Sequence, residues 1–126
     1  MQSNNTNEKG ILKPRSFRFS LDIIKFLDGL SKGDSSVQVI SKQVLRSATS
    51  IGANIVEAQS GSSRKDFANF YSHALKSANE TKYWLELLKE ANKCDVGQAD
   101  ALLKEVNELS NMLASSILTL KNKKIF

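Results

Sequence analysis

Only a few side chains of this sequence could take part in catalysis, and none stands in a known catalytic pattern. His73 is the only histidine and Cys94 the only cysteine among 126 residues. A serine or cysteine nucleophile needs a base and a group that orients the base, and a di-iron bundle needs paired glutamate and histidine ligands. Phe70 stands where a di-iron motif would place a glutamate before His73. We therefore predict no catalytic residue, no metal site and no cofactor, and keep an enzyme using Glu57 or Glu80 as the weakest alternative.

Positively charged residues are the second feature with a chemical consequence. The chain has 18 Lys and Arg against 13 Asp and Glu, a net charge of +5, and most of the excess lies in residues 1–48. Lys and Arg contacts to phosphates dominate the affinity of nucleic-acid-binding proteins, so RNA or DNA is a candidate partner, although solvated surface charge is a competing explanation. The predicted phosphate contacts are Lys42, Arg46, Arg64 and Lys65, followed by Arg15, Arg18 and the tail residues Lys121, Lys123 and Lys124.

The hydrophobic pattern predicts four helices and no strand. Residues 1–15 are polar and include the only proline, Pro14, so they are predicted to form a flexible N-terminal arm ahead of a helical domain of residues 16–126. The predicted helices cover about 16–31, 35–59, 64–93 and 96–120, with Ser35, Ser63 and Asp95 as N-terminal caps. Short connections favour antiparallel neighbours, and the predicted fold is an all-α, up-down-up-down four-helix bundle.

Three features indicate how the helices pack. The second helix contains Gly52, which is best explained by the close approach of a neighbouring helix. Asn54 lies beside the apolar stripe, so it either hydrogen-bonds across helices, with Asn79 and Glu80 as candidate partners, or faces a groove. The first helix is apolar on two sides, which suits an oligomer because a lone bundle would expose one of them. The two stripes are Phe17, Leu21, Ile24 and Leu27, and Phe19, Ile23, Phe26 and Leu30.

Targeting features do not appear in the sequence. The first ten residues lack the apolar core of a signal peptide, and no apolar run reaches the roughly 18 residues that a membrane span needs. We therefore expect a soluble cytoplasmic protein without a membrane partner.

A longer pattern runs through the second and third predicted helices. The stretch Arg46-Ser-Ala-Thr-Ser-Ile-Gly-Ala-Asn-Ile55 is followed by Ala74-Leu-Lys-Ser-Ala78 and by Glu80-Thr-Lys-Tyr-Trp-Leu85. This pattern resembles the four-helix-bundle family of bacterial 23S rRNA intervening-sequence proteins, and it is similar to the accessory variability protein of diversity-generating retroelements. The likeness covers roughly residues 17–120. It departs from many members in delaying a glycine to Gly61.

The resemblance implies a ring-like homopentamer without known catalytic activity. Retroelement relatives engage nucleic acid and a reverse transcriptase through a basic surface, so the resemblance adds a reverse transcriptase or another protein as a candidate partner. We predict a non-enzymatic, oligomeric protein that binds RNA or DNA through a basic surface. The alternative is an oligomeric protein-interaction scaffold that binds no nucleic acid.

Overall fold

Four α-helices form the described part of the chain. The structure is a computed structural model, and it describes residues 4–61 and 63–122. The helices are α1 (Asn4–Asp28), α2 (Ser35–Gln59), α3 (Arg64–Glu90) and α4 (Val96–Asn122), and the described residues contain no strand. The predicted all-α class is confirmed. None of these helices combines the length and the hydropathy needed to cross a membrane.

The helices pack as an antiparallel bundle. Each helix packs against its two neighbours in the cycle α1–α2–α3–α4, and in the described residues the backbones of diagonally opposite helices do not approach each other closely. Interhelical pairs show the direction of packing: Asp34 at the start of α2 pairs with Lys93 beyond the end of α3, whereas Arg46 further along α2 pairs with Glu80 further back in α3. The up-down-up-down arrangement predicted from the short connections is therefore confirmed.

One apolar stripe of each helix fills the centre of the bundle. The largest fully buried side chain is Tyr71 of α3, whose hydroxyl accepts a hydrogen bond of 3.1 Å from Nε2 of Gln59 on α2. Buried tyrosines usually have such a partner, because an unpaired hydroxyl inside a core is costly. The other core side chains include Leu12, Phe19, Ile23, Val44, Ile51, Ile55, Leu85, Leu88, Val106, Leu109 and Leu113.

The first helix begins at Asn4, so the flexible arm predicted for residues 1–15 is wrong for the part of it that the structure describes. Residues 1–3 lie outside the described residues. Pro14 lies inside α1, where it removes one backbone hydrogen bond. Contacts on both sides of the proline offset this cost. The Leu12 side chain is fully buried, and Arg15 binds two glutamates of α4.

The N-terminal cap of α2 is Asp34, one residue before the predicted Ser35. Oδ1 of Asp34 accepts hydrogen bonds from the backbone N–H groups of Ser36 at 3.0 Å and Val37 at 3.2 Å. The extended backbone of Asp34 (φ −90°, ψ 118°) places its carboxylate over these donors, which is the usual geometry of a helix cap. Oδ2 of the same carboxylate lies 2.7 Å from Nζ of Lys93.

The two later caps are confirmed. Oγ of Ser63 accepts from the N–H of Asp66 at 3.1 Å, and Oδ2 of Asp95 accepts from the N–H of Gln98 at 2.9 Å. The end of α3 differs from the prediction, because the helix stops at Glu90 and not near residue 93.

A left-handed residue explains why α3 ends where it does. Asn92 has a φ of 58°, and the N–H of Lys93 turns back to the carbonyl of Leu88 at 2.9 Å. This six-residue closure is the Schellman arrangement, in which the residue after the C-cap is usually glycine and sometimes asparagine.

The Asp34 carboxylate makes the stability of the bundle dependent on pH. The Lys93 ammonium, with the Ser36 hydroxyl and the Val37 amide, holds the pKa of Asp34 well below its usual range. A carboxyl whose pKa is lowered by folding stabilises the protein above its unfolded pKa of about 3.9, and this contribution is lost as the pH falls through the lower folded pKa. We expect Asp34→Asn to lower Tm at pH 7 and to lower it much less near pH 2, as measured by thermal unfolding.

An exposed carboxylate of α2 provides the control for this pH dependence. Glu57→Gln makes the same change of charge at an exposed position, and its Tm should follow the wild-type curve. An equal loss of Tm by Asp34→Asn at both pH values would contradict a role for the Asp34 charge.

Candidate functional site

Arg15, a predicted phosphate contact, is held in an ion pair between α1 and α4. Its Nε lies 2.7 Å from Oε2 of Glu105, its Nη2 lies 2.9 Å from Oε1 of the same residue, and Nη2 also binds Glu108. The bidentate contact with Glu105 and the bond to Glu108 raise the pKa of Arg15 above its usual value. The positive charge of Arg15 is therefore balanced within the bundle, and its role in the structure is to hold α1 against α4.

Arg46 is also paired, but it remains accessible to solvent. Its Nη2 lies 2.7 Å from Oε2 of Glu80 on α3 and 2.7 Å from Oε1 of Gln43 on α2. The Arg46 side chain is 64% exposed, and Oε2 of Glu80 also accepts from Nε1 of Trp84 at 3.0 Å. A phosphate could reach Arg46 only in competition with a carboxylate that is already in place.

The remaining predicted cations differ in exposure. Arg18, Lys42, Lys65 and Lys121 are exposed, and the described part of the chain shows no ion pair for any of them. Arg64 is half-buried, and its Nη1 is shielded from solvent without a hydrogen-bond partner among the described residues. Lys123 and Lys124 lie outside the described residues.

A single chain does not bring all of these cations together, as Lys42 and Lys65 show. Lys42 lies in the first half of α2, and Lys65 is the second residue of α3. Since the two helices are antiparallel, Lys65 lies beyond the far end of α2, roughly 30 Å from Lys42 along the bundle at the 1.5 Å rise of a helix. Lys42 and Lys65 of one chain therefore lie too far apart to contact neighbouring phosphates.

Small polar side chains form a seam between α2 and α3. The Thr81 hydroxyl donates to Oγ of Ser47 at 2.8 Å, and the Ser77 hydroxyl donates to Oγ of Ser50 at 3.0 Å. Nδ2 of Asn54 donates to the carbonyl and to Oγ of Ser50, at 2.9 and 3.0 Å. This α2–α3 seam joins the two helices by side-chain hydrogen bonds beside the apolar core, where unpaired hydroxyls would be costly.

The seam corrects one prediction and accounts for the longer sequence pattern. The expectation that Asn54 bonds to Asn79 or Glu80 is wrong, because its partner is Ser50, one turn earlier on its own helix. Residues of the pattern shared by the second and third helices mostly lie in or beside the seam. Glu57 is exposed and lies outside the seam. The pattern thus describes how two helices align and gives no sign of a catalytic constellation.

Gly52 faces α1 at a close approach, as predicted. A Cβ atom at this position would lie 3.3 Å from Oγ of Ser16, a buried residue of α1. Small side chains on both helices therefore let α1 and α2 approach each other, and beside this contact the surface opens into a groove.

A groove with a mostly apolar lining lies between α1 and α2. It has a volume of about 760 Å³ and is lined by apolar atoms of Phe17, Leu21, Gly52, Ala53 and Val56, with Lys13 and Arg18 at its rim. Phe17 is 66% exposed and Val56 45% exposed. None of the described residues that line the groove is acidic. We call these seven residues the α1–α2 groove.

The burial of individual side chains shows which side of α1 faces the core and which side faces the groove. Phe19, Ile23 and Phe26 are buried, whereas Phe17 and Leu21 of the other apolar stripe are exposed. The sequence predicts both apolar sides of α1 but does not place Lys13 at a groove. The signal that could have found Lys13 is its position four residues before Phe17, because this spacing places both side chains on one face of a helix.

The residues with catalytic side chains are dispersed. His73 is exposed on α3, and burial raises the pKa of the half-buried Cys94 thiol. In the described ranges, no group of three His, Cys, Asp or Glu side chains could hold a metal ion.

Comparisons with known proteins agree with this architecture. A family model described as 23S rRNA-intervening sequence protein matches residues 8–115. The chain is also similar to the crystal structure of a protein of unknown function from the S23 ribosomal protein family of Bacteroides thetaiotaomicron. The two are 40% identical, with a TM-score of 0.81, and the match covers 87% of this chain and 97% of that chain. No curated protein matches the chain. The matched pattern, the four antiparallel helices and the extent of both matches lead to one conclusion: this chain belongs to the 23S rRNA-intervening sequence protein family.

Proposed function

We propose that this protein is a non-enzymatic, oligomeric nucleic-acid-binding protein, in which assembly gathers the exposed cations of several chains into one surface that contacts phosphates. The observation that carries the proposal is the set of exposed cations outside the α1–α2 groove that have no ion pair in the described part of the chain, Lys42, Lys65 and Lys121. Arg18 has no ion pair there either, but it lines the groove. Cations that are not held in an ion pair are the ones that can exchange condensed counterions for phosphates.

Assembly is the second part of the proposal. A few separated cations on one chain bind phosphates weakly, whereas linked copies convert weak contacts into a multivalent one. The exposed apolar residues Phe17, Leu21 and Ile24 of α1 support association, since monomers rarely expose a contiguous apolar stripe. Five copies, the number that the family resemblance suggests, would carry a net charge of about +25 from +5 per chain.

The family description supports RNA as the preferred candidate ligand, with DNA as the second candidate. A 23S rRNA-intervening sequence protein is named for an element of ribosomal RNA genes, and contacts to phosphates do not by themselves distinguish RNA from DNA. A reverse transcriptase or another protein remains a further partner in the proposal, and the exposed apolar stripe of α1 is the surface that could serve it.

A salt titration tests the proposal. We expect fluorescence anisotropy with labelled single-stranded RNA to show binding at about 50 mM salt, and log affinity to fall linearly with log salt by about 0.7 for each phosphate contact. Light scattering on the same samples gives the number of chains. Absence of binding at low salt, or an affinity that does not respond to salt, would refute nucleic-acid binding.

The exposed apolar stripe of α1 also favours a second candidate, an oligomeric scaffold that binds only proteins. In that case light scattering would report an assembly, while RNA and DNA would fail to bind at every salt concentration. Disruption of the apolar groove would then abolish function, whereas reversal of Lys42 would leave it unchanged.

A further inference from the structure

We infer that the α1–α2 groove binds the surface around Tyr83 of a second copy of this chain, in a head-to-tail contact between unlike surfaces. The inference rests on the assembly part of the proposed function and deepens it, because it names the two surfaces that meet. Tyr83, Glu86 and Glu90 of α3 are called the Tyr83 surface.

The α1–α2 groove has the properties of a surface that binds another protein. Phe17, Leu21 and Val56 are exposed large apolar side chains that face one concavity of about 760 Å³. Gly52 and Ala53 add no bulk to its floor, so a side chain as large as an aromatic ring can enter. Apolar area that is concave, contiguous and rimmed by polar groups is typical of a surface that another protein covers.

The charge at the rim argues against contact between two copies of the same groove. Lys13 and Arg18 line the groove together with no acidic residue. A two-fold contact would place these two cations of one copy against the same two cations of the other, since an isologous interface joins identical patches. Like charges brought together in a partly desolvated contact repel each other. The occupant therefore comes from a different surface, and that surface is acidic.

The Tyr83 surface has the complementary properties. Outside α1 and α2, the exposed large apolar residues of the described chain are Tyr83, Val96 and Leu118. Of these, Tyr83 is the aromatic one, and it is 58% exposed. Tyrosine is among the residues that most often anchor protein interfaces, because a large rigid ring is buried at a small cost in conformational entropy.

Acidic side chains accompany Tyr83 on the same face of α3. Glu86 and Glu90 follow Tyr83 by three and seven residues, a spacing that places all three on one side of a helix, and both glutamates are exposed. By contrast, the charged residue three positions after Leu118 is basic, Lys121. An anchor with acids beside it suits a groove with cations at its rim.

The spacing of the charges also corresponds. Lys13 and Arg18 are five residues apart along α1, and Glu86 and Glu90 are four residues apart along α3, which gives rises of about 7.5 and 6 Å. With Tyr83 in the groove, an acid of one copy can therefore approach a cation of the other. Because the two surfaces differ, a copy that uses its groove in one contact still has its Tyr83 surface free for a second contact. The contact therefore repeats into a ring or an open chain.

Two single variants test the inference by light scattering. Phe17→Glu disrupts the α1–α2 groove and leaves the Tyr83 surface intact. Tyr83→Glu disrupts the Tyr83 surface and leaves the groove intact. We expect each variant alone to be monomeric, and an equal mixture of the two to form dimers that grow no further, because only one productive contact is left. Both positions are exposed, so circular dichroism should show wild-type helicity. Leu118→Glu, at an exposed position of α4, should assemble like the wild type.

A charge exchange provides the second arm. Lys13→Glu with Arg18→Glu, and separately Glu86→Lys with Glu90→Lys, should each convert the assembly to monomers. The chain that carries all four substitutions should assemble again, because opposite charges then face each other with the signs reversed.

The outcomes separate this inference from the proposed function. If Tyr83→Glu assembles like the wild type, or if the mixture stays monomeric, the head-to-tail contact is refuted while the assembly and RNA binding of the wild type still stand. A wild type that is monomeric at all concentrations refutes the assembly and the contact together, and RNA binding by the same samples is read independently by anisotropy.

Discussion

Replacement of Leu12 by alanine is expected to lower the free energy of unfolding by about 2–5 kcal/mol, the range for truncation of a fully buried leucine. Leu12 has no exposed surface and belongs to the central apolar cluster, so removal of three carbon atoms leaves a cavity between α1 and its neighbours. Chemical denaturation measures the change, with the midpoint and the slope recorded separately. The result matters because Leu12 lies in the segment whose sequence predicts an arm.

The neighbouring residue is the control for Leu12. Ile11 is 45% exposed in the same turn of α1, and Ile11→Ala should cost less than about 1 kcal/mol, as is usual for changes near the surface. If both substitutions had the same small effect, the docking of this part of α1 against the bundle would be contradicted.

Reversal of two unpaired lysines is expected to have the largest effect on nucleic-acid binding. The double variant Lys42→Glu, Lys65→Glu removes two phosphate-binding cations from each chain and adds two repulsive charges. We expect the affinity for single-stranded RNA at low salt to fall by at least about 100-fold. The slope of log affinity against log salt should decrease by about 1.4, because each of the two lysines contributes about 0.7 when it binds a phosphate. Anisotropy over the same salt range measures both quantities.

A matched pair of lysines separates local binding from net charge. Lys25 and Lys104 are exposed on α1 and α4 and are not predicted to bind phosphates. Their reversal to glutamate changes the net charge of the chain by the same amount. An equal loss of affinity in both double variants would contradict a defined phosphate-binding surface, and light scattering should show that all these proteins assemble like the wild type.

The second, third and fourth helices could be predicted from the sequence because local signals agree with the tertiary structure there. Their apolar residues recur at helical spacing without interruption, and Ser63 and Asp95 cap the following helices through bonds that reach only three residues ahead. The cap of α2 was misplaced by one residue because Asp34 and Ser35 are both good capping residues. Only the backbone conformation of Asp34 distinguishes them.

The start of α1 could not be predicted because contacts distant in sequence decide it. Pro14 marks a break by every local criterion, and Ser16 occupies a position of the apolar stripe that would otherwise continue to Leu12. The compensating contacts come from α4: Glu105 binds Arg15 across 90 residues of sequence. No window of neighbouring residues contains that information.

Contacts distant in sequence also limit how much of the candidate site can be predicted. A count of charges identifies Arg15, Arg46 and Lys42 as equivalent cations, but the fold pairs the first two with glutamates and leaves Lys42 without an ion pair in the described part of the chain. Likewise, two apolar stripes of α1 are equally strong in the sequence. Which of them faces solvent depends on where α2 and α4 pack, and this determines the groove.

The α2–α3 seam has a consequence for how the chain reaches its fold. A hairpin of these two helices formed one turn out of alignment, a shift of about 5.4 Å, would bring Arg46 opposite Lys76 in one direction. In the other direction it would bring Ser47 opposite Leu85. The first slip sets like charges against each other and the second strands a buried hydroxyl, so both misaligned hairpins are penalised before α1 and α4 dock. Apolar stripes alone do not exclude either slip, so we expect the Arg46–Glu80 pair and the α2–α3 seam together to favour the native alignment of the hairpin.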